Sequence, residues 1–346
     1  MQAHAMRWSS LLTAGFAGLW LYTVYSRRSA IGRAIGIIKL AFSILEQNMY
    51  LLVISFSTLY LFLAFTFIWI LQFERLFLRG TMTGISGHRM WILQGDSWPL
   101  GAYFIMVYLW TFGVVSGIQR ASISAVTSQW YFHRHDQPRT PPKAATEAAL
   151  WHALSASFGT ICASSLFSLL TRLPLLVVPR RIAGTITLAA YMFLSAPLVN
   201  LTSPLTLTYA AIFSVNLKTA ARIMDAQPRL KPGKHWQPYR TAKMVLSAAR
   251  ATTALGLGLA AWIQAARRSG TNSSLYGYLV GMIAGTIGWT IVGCVEGLVS
   301  VLVDACFVSW IVDADNTAAG RTHCQEANTV FGALPASARG LGALQV

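Results

Sequence analysis

Of the 346 residues, 55% are hydrophobic and only 11% charged, with a mean hydropathy of +0.52. Charge at roughly a quarter of residues is normal for a soluble domain, so an ordinary soluble enzyme is excluded. The net charge of +16 comes from 27 Lys and Arg against 11 Asp and Glu. These cations are scattered between apolar runs and form no basic domain, which points to loops held against anionic lipid headgroups and not to nucleic acid.

Apolar runs able to cross a bilayer fall at 10–25, 50–72, 99–127, 153–178, 182–214, 245–265 and 276–311. At roughly 20 residues per span they use the chain up as one transmembrane domain over 1–315. Backbone groups cannot stay unpaired in lipid and no barrel-like alternation recurs, so the expected fold is all-α, a polytopic transmembrane helical bundle of about seven spans. The first run follows Arg7 like a signal peptide, but no small-residue cleavage site follows it, and it reads as a membrane helix. Residues 29–46 form an apolar face interrupted by Arg33, Lys39 and Glu46. That pattern suits either a helix at the cytosolic interface or a packed extension of the next span. Segment 133–147, with three prolines, reads as an exposed linker, and 316–346 as a disordered cytosolic tail.

Loops at 26–50, 129–150 and 215–244, with the tail, carry most of the loop cations, among them Arg27, Arg28, Lys39, Arg139, Lys143, Lys218, Arg229, Lys231 and Lys234. The positive-inside rule then places the C-terminus in the cytosol. The same orientation puts the sequon Asn272-Ser273-Ser274 outside, which makes Asn272 a glycosylation candidate.

Charges within a span cost about 2.5–3.5 kcal/mol each on insertion scales and so mark function or a specific partner. Glu296 and Asp304 stand out in the last run, and Trp289 lies seven residues before Glu296 on nearly the same line of a helix. An aromatic face beside a carboxylate suits a quaternary ammonium. The alternative for Asp304 is pairing with Arg120, late in a span running the same way. Gly281-x-x-x-Gly285 and Gly293-x-x-x-Gly297 permit close helix approach, chiefly for packing. Pro197 and Pro204, around Asn200, Thr202 and Ser203, imply either a broken mid-membrane helix or two successive helices. Neither His133-Arg134-His135-Asp136 nor Asp313-Ala314-Asp315 has the companions a metal needs, and the four cysteines form no CxxC pair. No cofactor or metal is expected, and no phosphate loop, nucleophile elbow or HExxH suggests an enzyme.

Three segments carry a family resemblance. Trp110-Thr111, Val115 and Trp130-Tyr131-Phe132 resemble a span of the choline transporter-like family, fungal-type branch, that opens on Trp-Thr and exits on Trp-Tyr-Phe. Ser157-Phe158-Gly159-Thr160-Ile161-Cys162-Ala163-Ser164-Ser165-Leu166 is similar to that family's next span, and Val303-Asp304, Phe307-Val308 and Asp313 to its last exit. Val215-Asn216 stands where the family has Gly-Lys, although Tyr209 and Ala221-Arg222 fit. Measured against the family, the chain lacks the N-terminal helices and a large external loop.

The resemblance implies a transporter moving choline or a related amino-alcohol by alternating access, in the plasma membrane or an organellar one. Aromatic faces would hold the cation and a carboxylate would balance it, with Trp110, Trp289, Glu296 and Asp304 as the binding candidates. Its partners would be the lipid bilayer and a small cation such as choline. The alternative is a non-transporting relative that acts structurally or through homo-oligomerisation.

Overall fold

The computed structural model describes residues 25, 28–78, 80–83, 90–93, 97–134, 141–177, 201–227, 236–268, 274–316 and 323–332. All but the last residue of the expected span at 10–25, residues 182–200 of the run at 182–214, and Asn272 lie outside them. Nearly all of the described part is helical. In chain order it comprises α1 (Arg28–Gln47), α2 (Tyr50–Phe77), α3 (Ser97–His133), α4 (Pro142–Leu154), α5 (Phe158–Val177), α6 (Pro204–Phe213), α7 (Leu217–Ala226), α8 (Trp236–Arg268), α9 (Ser274–Asn316) and α10 (Gln325–Phe331). Four of these, α2, α3, α8 and α9, are long and apolar enough to cross a membrane. The α4–α5 pair, bent by 64°, makes a fifth if it is one span. Among the described residues this is fewer than the seven expected.

Two features depart from the sequence reading. An antiparallel hairpin, β1 (Gly80–Thr83) with β2 (Met90–Leu93), joins α2 to α3, pairing Gly80 with Leu93 and Thr83 with Met90. Four-residue strands are too short to leave a periodic signal, and pairing with each other satisfies their facing backbone groups. Within the expected tail, α10 is ordered, and Cys324, Ala327 and Phe331 are fully buried.

Elsewhere local chemistry sets the boundaries. Pro204 occupies the first turn of α6, where a missing N–H costs nothing. The helix ends at Ser214, which is left-handed with φ of 53°. The apolar stripe of α1 (Ala30, Ala34, Ile37, Ala41, Ile44) is buried against α8, α9 and α10, so it packs on protein.

The 43 residues of α9 extend roughly 65 Å, about twice the hydrocarbon thickness. Its two halves differ accordingly. From Tyr276 to Ile291 the large side chains Leu279, Met282, Ile283 and Ile287 are exposed, while Gly277, Gly281 and Gly288 are buried. That half packs on α8 along a glycine seam, where a Cβ at Gly281 would lie 3.0 Å from the Gly258 carbonyl oxygen and 2.9 Å from Trp262 Cβ. From Leu298 to Asp313 nearly every residue is buried, forming the axis of the main core with Ile37, Ile44, Ile123, Val126 and Tyr131.

Candidate functional site

Asp304 sits on the buried half of α9 and is 0% exposed. Its Oδ2 accepts from Arg120 Nη1 of α3 at 2.7 Å, and its Oδ1 accepts from Tyr239 Oη at 2.7 Å and pairs with Lys243 Nζ at 2.6 Å, both on α8. Arg120 Nη1 also reaches Thr208 Oγ1 of α6 at 3.4 Å. Three helices therefore meet on one carboxylate, and α6 joins them through Arg120. Burying an ion is expensive unless it is paired and hydrogen-bonded, and here both oxygens are occupied. Two cations on one acid leave the cluster one positive charge in excess. Tyr239 is fixed from behind by stacking on Phe307 at 4.6 Å, with Trp236 5.2 Å away.

Two cavities flank this cluster. One, of about 420 Å³, is lined by Arg120 with Ser116, Ser164, Ser168, Thr202 and Ser203 among others. The other, of about 580 Å³, is lined by Tyr239, Lys243, Arg240, Ser247, Glu296 and Ser300 among others. Ser203 and Pro204, at the start of α6, line both. The Arg120 end of the cluster thus faces one cavity and the Lys243 end the other, with Asp304 bonded to each.

The four sequence candidates occupy three places. Asp304 is the hub, and the Arg120 pairing weighed as its alternative is present. Trp289 and Glu296 come together two turns earlier on α9 through a third residue, Arg250 of α8. Its guanidinium carbon lies 4.0 Å from the Trp289 ring centroid, its Nη1 is 3.4 Å from Glu296 Oε2, and its Nε donates to the Trp289 carbonyl at 3.1 Å. Trp110 lies elsewhere, donating its indole N–H to the Cys162 carbonyl at 3.3 Å across the α3–α5 seam. Next to it, Ile161 and Ser165 of α5 fill the space left by Gly117 and Gly113.

Sequence reasoning missed Arg250, Tyr239 and Lys243. Arg250 lies inside an apolar run and carried the same signal as Glu296, a charge in a span. Tyr239 and Lys243, four residues apart just before that run, share one face of a helix.

A second buried acid, Asp313, lies at the far end of α9. It accepts from Tyr131 Oη at 3.1 Å and from the His323 backbone N–H at 3.1 Å, and its Oδ1 meets His323 Nδ1 at 2.7 Å. This fastens the segment before α10, while Trp310 and Phe307 meet Phe331 ring to ring at 5.7 and 5.5 Å. Among the described residues no three His, Cys, Asp or Glu side chains gather as metal ligands would.

Comparison with known proteins matches residues 11–315 to the family described as plasma-membrane choline transporter. Over 314 residues the chain is 32% identical to the choline transporter-like protein ctl1 of Schizosaccharomyces pombe, a match covering 90% of this chain and 54% of that protein. The chain spans about half the length of this curated relative.

Proposed function

We propose a function from one premise: the chain belongs to the choline transporter-like family. It is an integral membrane protein, and its family's members are transporters and not enzymes. On our reading it moves choline or a related amino-alcohol cation across the plasma membrane, with an organellar membrane as the second option and the C-terminus in the cytosol. The carrying observation is the buried Asp304, joined to cations from two other helices and flanked by a cavity at each end. Such a cluster can hold α3, α8 and α9 in one arrangement and yield to another when a pairing is exchanged, as alternating access requires. Of the four candidates, we assign the ammonium group to Trp289 and Glu296, the hinge of the exchange to Asp304, and the α3–α5 seam to Trp110.

The assembly alternative rests only in part on the glycine spacings. Gly281 and Gly285 pack on Gly258 within the chain, and Gly293 faces Arg250. These three glycines are thus packed within the chain, whereas Gly297 has nothing within 4 Å of a Cβ. Uptake of radiolabelled choline by vesicles containing the purified chain tests the proposal. We expect saturable uptake above that of empty vesicles; uptake equal to theirs, with folded protein, rejects it.

A further inference from the structure

The Trp289–Glu296 pair has the two parts that recognise an organic cation, an aromatic face and a carboxylate. In this structure both are engaged by the chain's own Arg250. The guanidinium lies over the indole, pairs with the carboxylate and is anchored by the Nε bond to the Trp289 carbonyl. The backbone has made room for it, because a Cβ on Gly293 would collide with the guanidinium. The arrangement is therefore a built site for a cation, seated on one wall by a glycine.

We propose that Arg250 is a tethered stand-in for the transported cation, a specificity-determining residue that a quaternary ammonium must displace to occupy the Trp289–Glu296 site. The inference rests on the cation-transport reading above and names where and against what competitor the cation binds. Glu296 also lines the cavity of about 580 Å³ with Ser300 and Lys243, which gives an incoming cation a route to the carboxylate. Displacement keeps Glu296 paired throughout, so the acid is not left alone in the membrane interior. The freed guanidinium remains on α8, and its movement ties occupancy by the ligand to the α8–α9 seam.

The opposite view makes Arg250 a strut that only neutralises Glu296. The two differ in the sign of one measurement, equilibrium binding of radiolabelled choline to the purified full chain in detergent. Removing a tethered competitor raises affinity: Arg250→Ala and Arg250→Gln should bind choline at least roughly tenfold more tightly than the unaltered chain. Adding Glu296→Gln or Trp289→Leu to either should abolish the gain. The Gln variant keeps a donor for the Trp289 carbonyl and serves if the Ala variant does not fold. Folded variants that bind choline no more tightly than the unaltered chain overturn the inference, even if vesicle uptake is normal. A gain in binding without vesicle uptake would reject transport and leave the tethered competitor standing.

Discussion

Asp304 shows how much one residue can organise. It draws Arg120, Tyr239 and Lys243 onto two oxygens, and all three contacts measure 2.6–2.7 Å. Removing one partner of a buried pair leaves an uncompensated charge, which typically costs 3–5 kcal/mol. Asp304→Asn keeps the shape but leaves Arg120 and Lys243 facing each other without an anion. We expect it to be destabilised by about 3 kcal/mol, read as a drop in detergent Tm, whereas Arg120→Lys should lose less because the charge remains. A smaller effect in the other direction is expected at Ser214. Its left-handed backbone costs about 1 kcal/mol for any residue with a Cβ, and its hydroxyl recovers part of that through His152 Nε2 at 2.9 Å. Ser214→Gly should therefore stabilise by up to about 1 kcal/mol in the same melt. The sequence made the Arg120–Asp304 pair legible because both charges lie in apolar runs. Lys243 stayed hidden because it precedes its run and looks like an ordinary interfacial cation.

The long helices were legible for a simple reason: apolar composition sustained over more than 20 residues has few other uses. Their ends were not. The run at 276–311 lies inside a helix reaching Ser274–Asn316, and 245–265 inside Trp236–Arg268, because polar residues extend a helix beyond the lipid without a hydropathy signal. The α4–α5 break was equally silent, since Ser155 to Ser157 are unremarkable in composition yet leave the helical path. The glycine seam is the element-scale feature most open to test. Gly281 approaches both the Gly258 backbone and Trp262 too closely to admit a side chain. Gly281→Val should force α8 and α9 apart, lowering the detergent Tm. Gly297→Val should do neither, since nothing lies within 4 Å of a Cβ there.

At the scale of the whole molecule, the core gathers around one half of α9, and the C-terminal segment closes that end. Phe331 packs tilted against Phe307 and Trp310, and Phe307 stacks on Tyr239, which holds Asp304. A contiguous line of rings thus runs from α10 to the charge cluster, although a seven-residue helix in a polar tail gave the sequence no periodicity long enough to read. Docking of α10 can be followed through Cys324, which is buried just before it and whose thiol burial pushes up, so that less of it is thiolate at neutral pH. In a chain whose Cys162, Cys294 and Cys306 are changed to Ala, maleimide should label Cys324 slowly, at a rate set by undocking. Phe331→Ala removes a fully buried ring at a cost of about 3 kcal/mol and should speed labelling by roughly a hundredfold without altering the helix content. If α10 were only laid loosely on the surface, Cys324 would label in the parent chain as fast as a free thiol, and Phe331→Ala would change nothing. If the line of rings couples the two ends, choline added at saturating concentration should change the Cys324 labelling rate, because any shift of Tyr239 at Asp304 reaches Phe331 through Phe307.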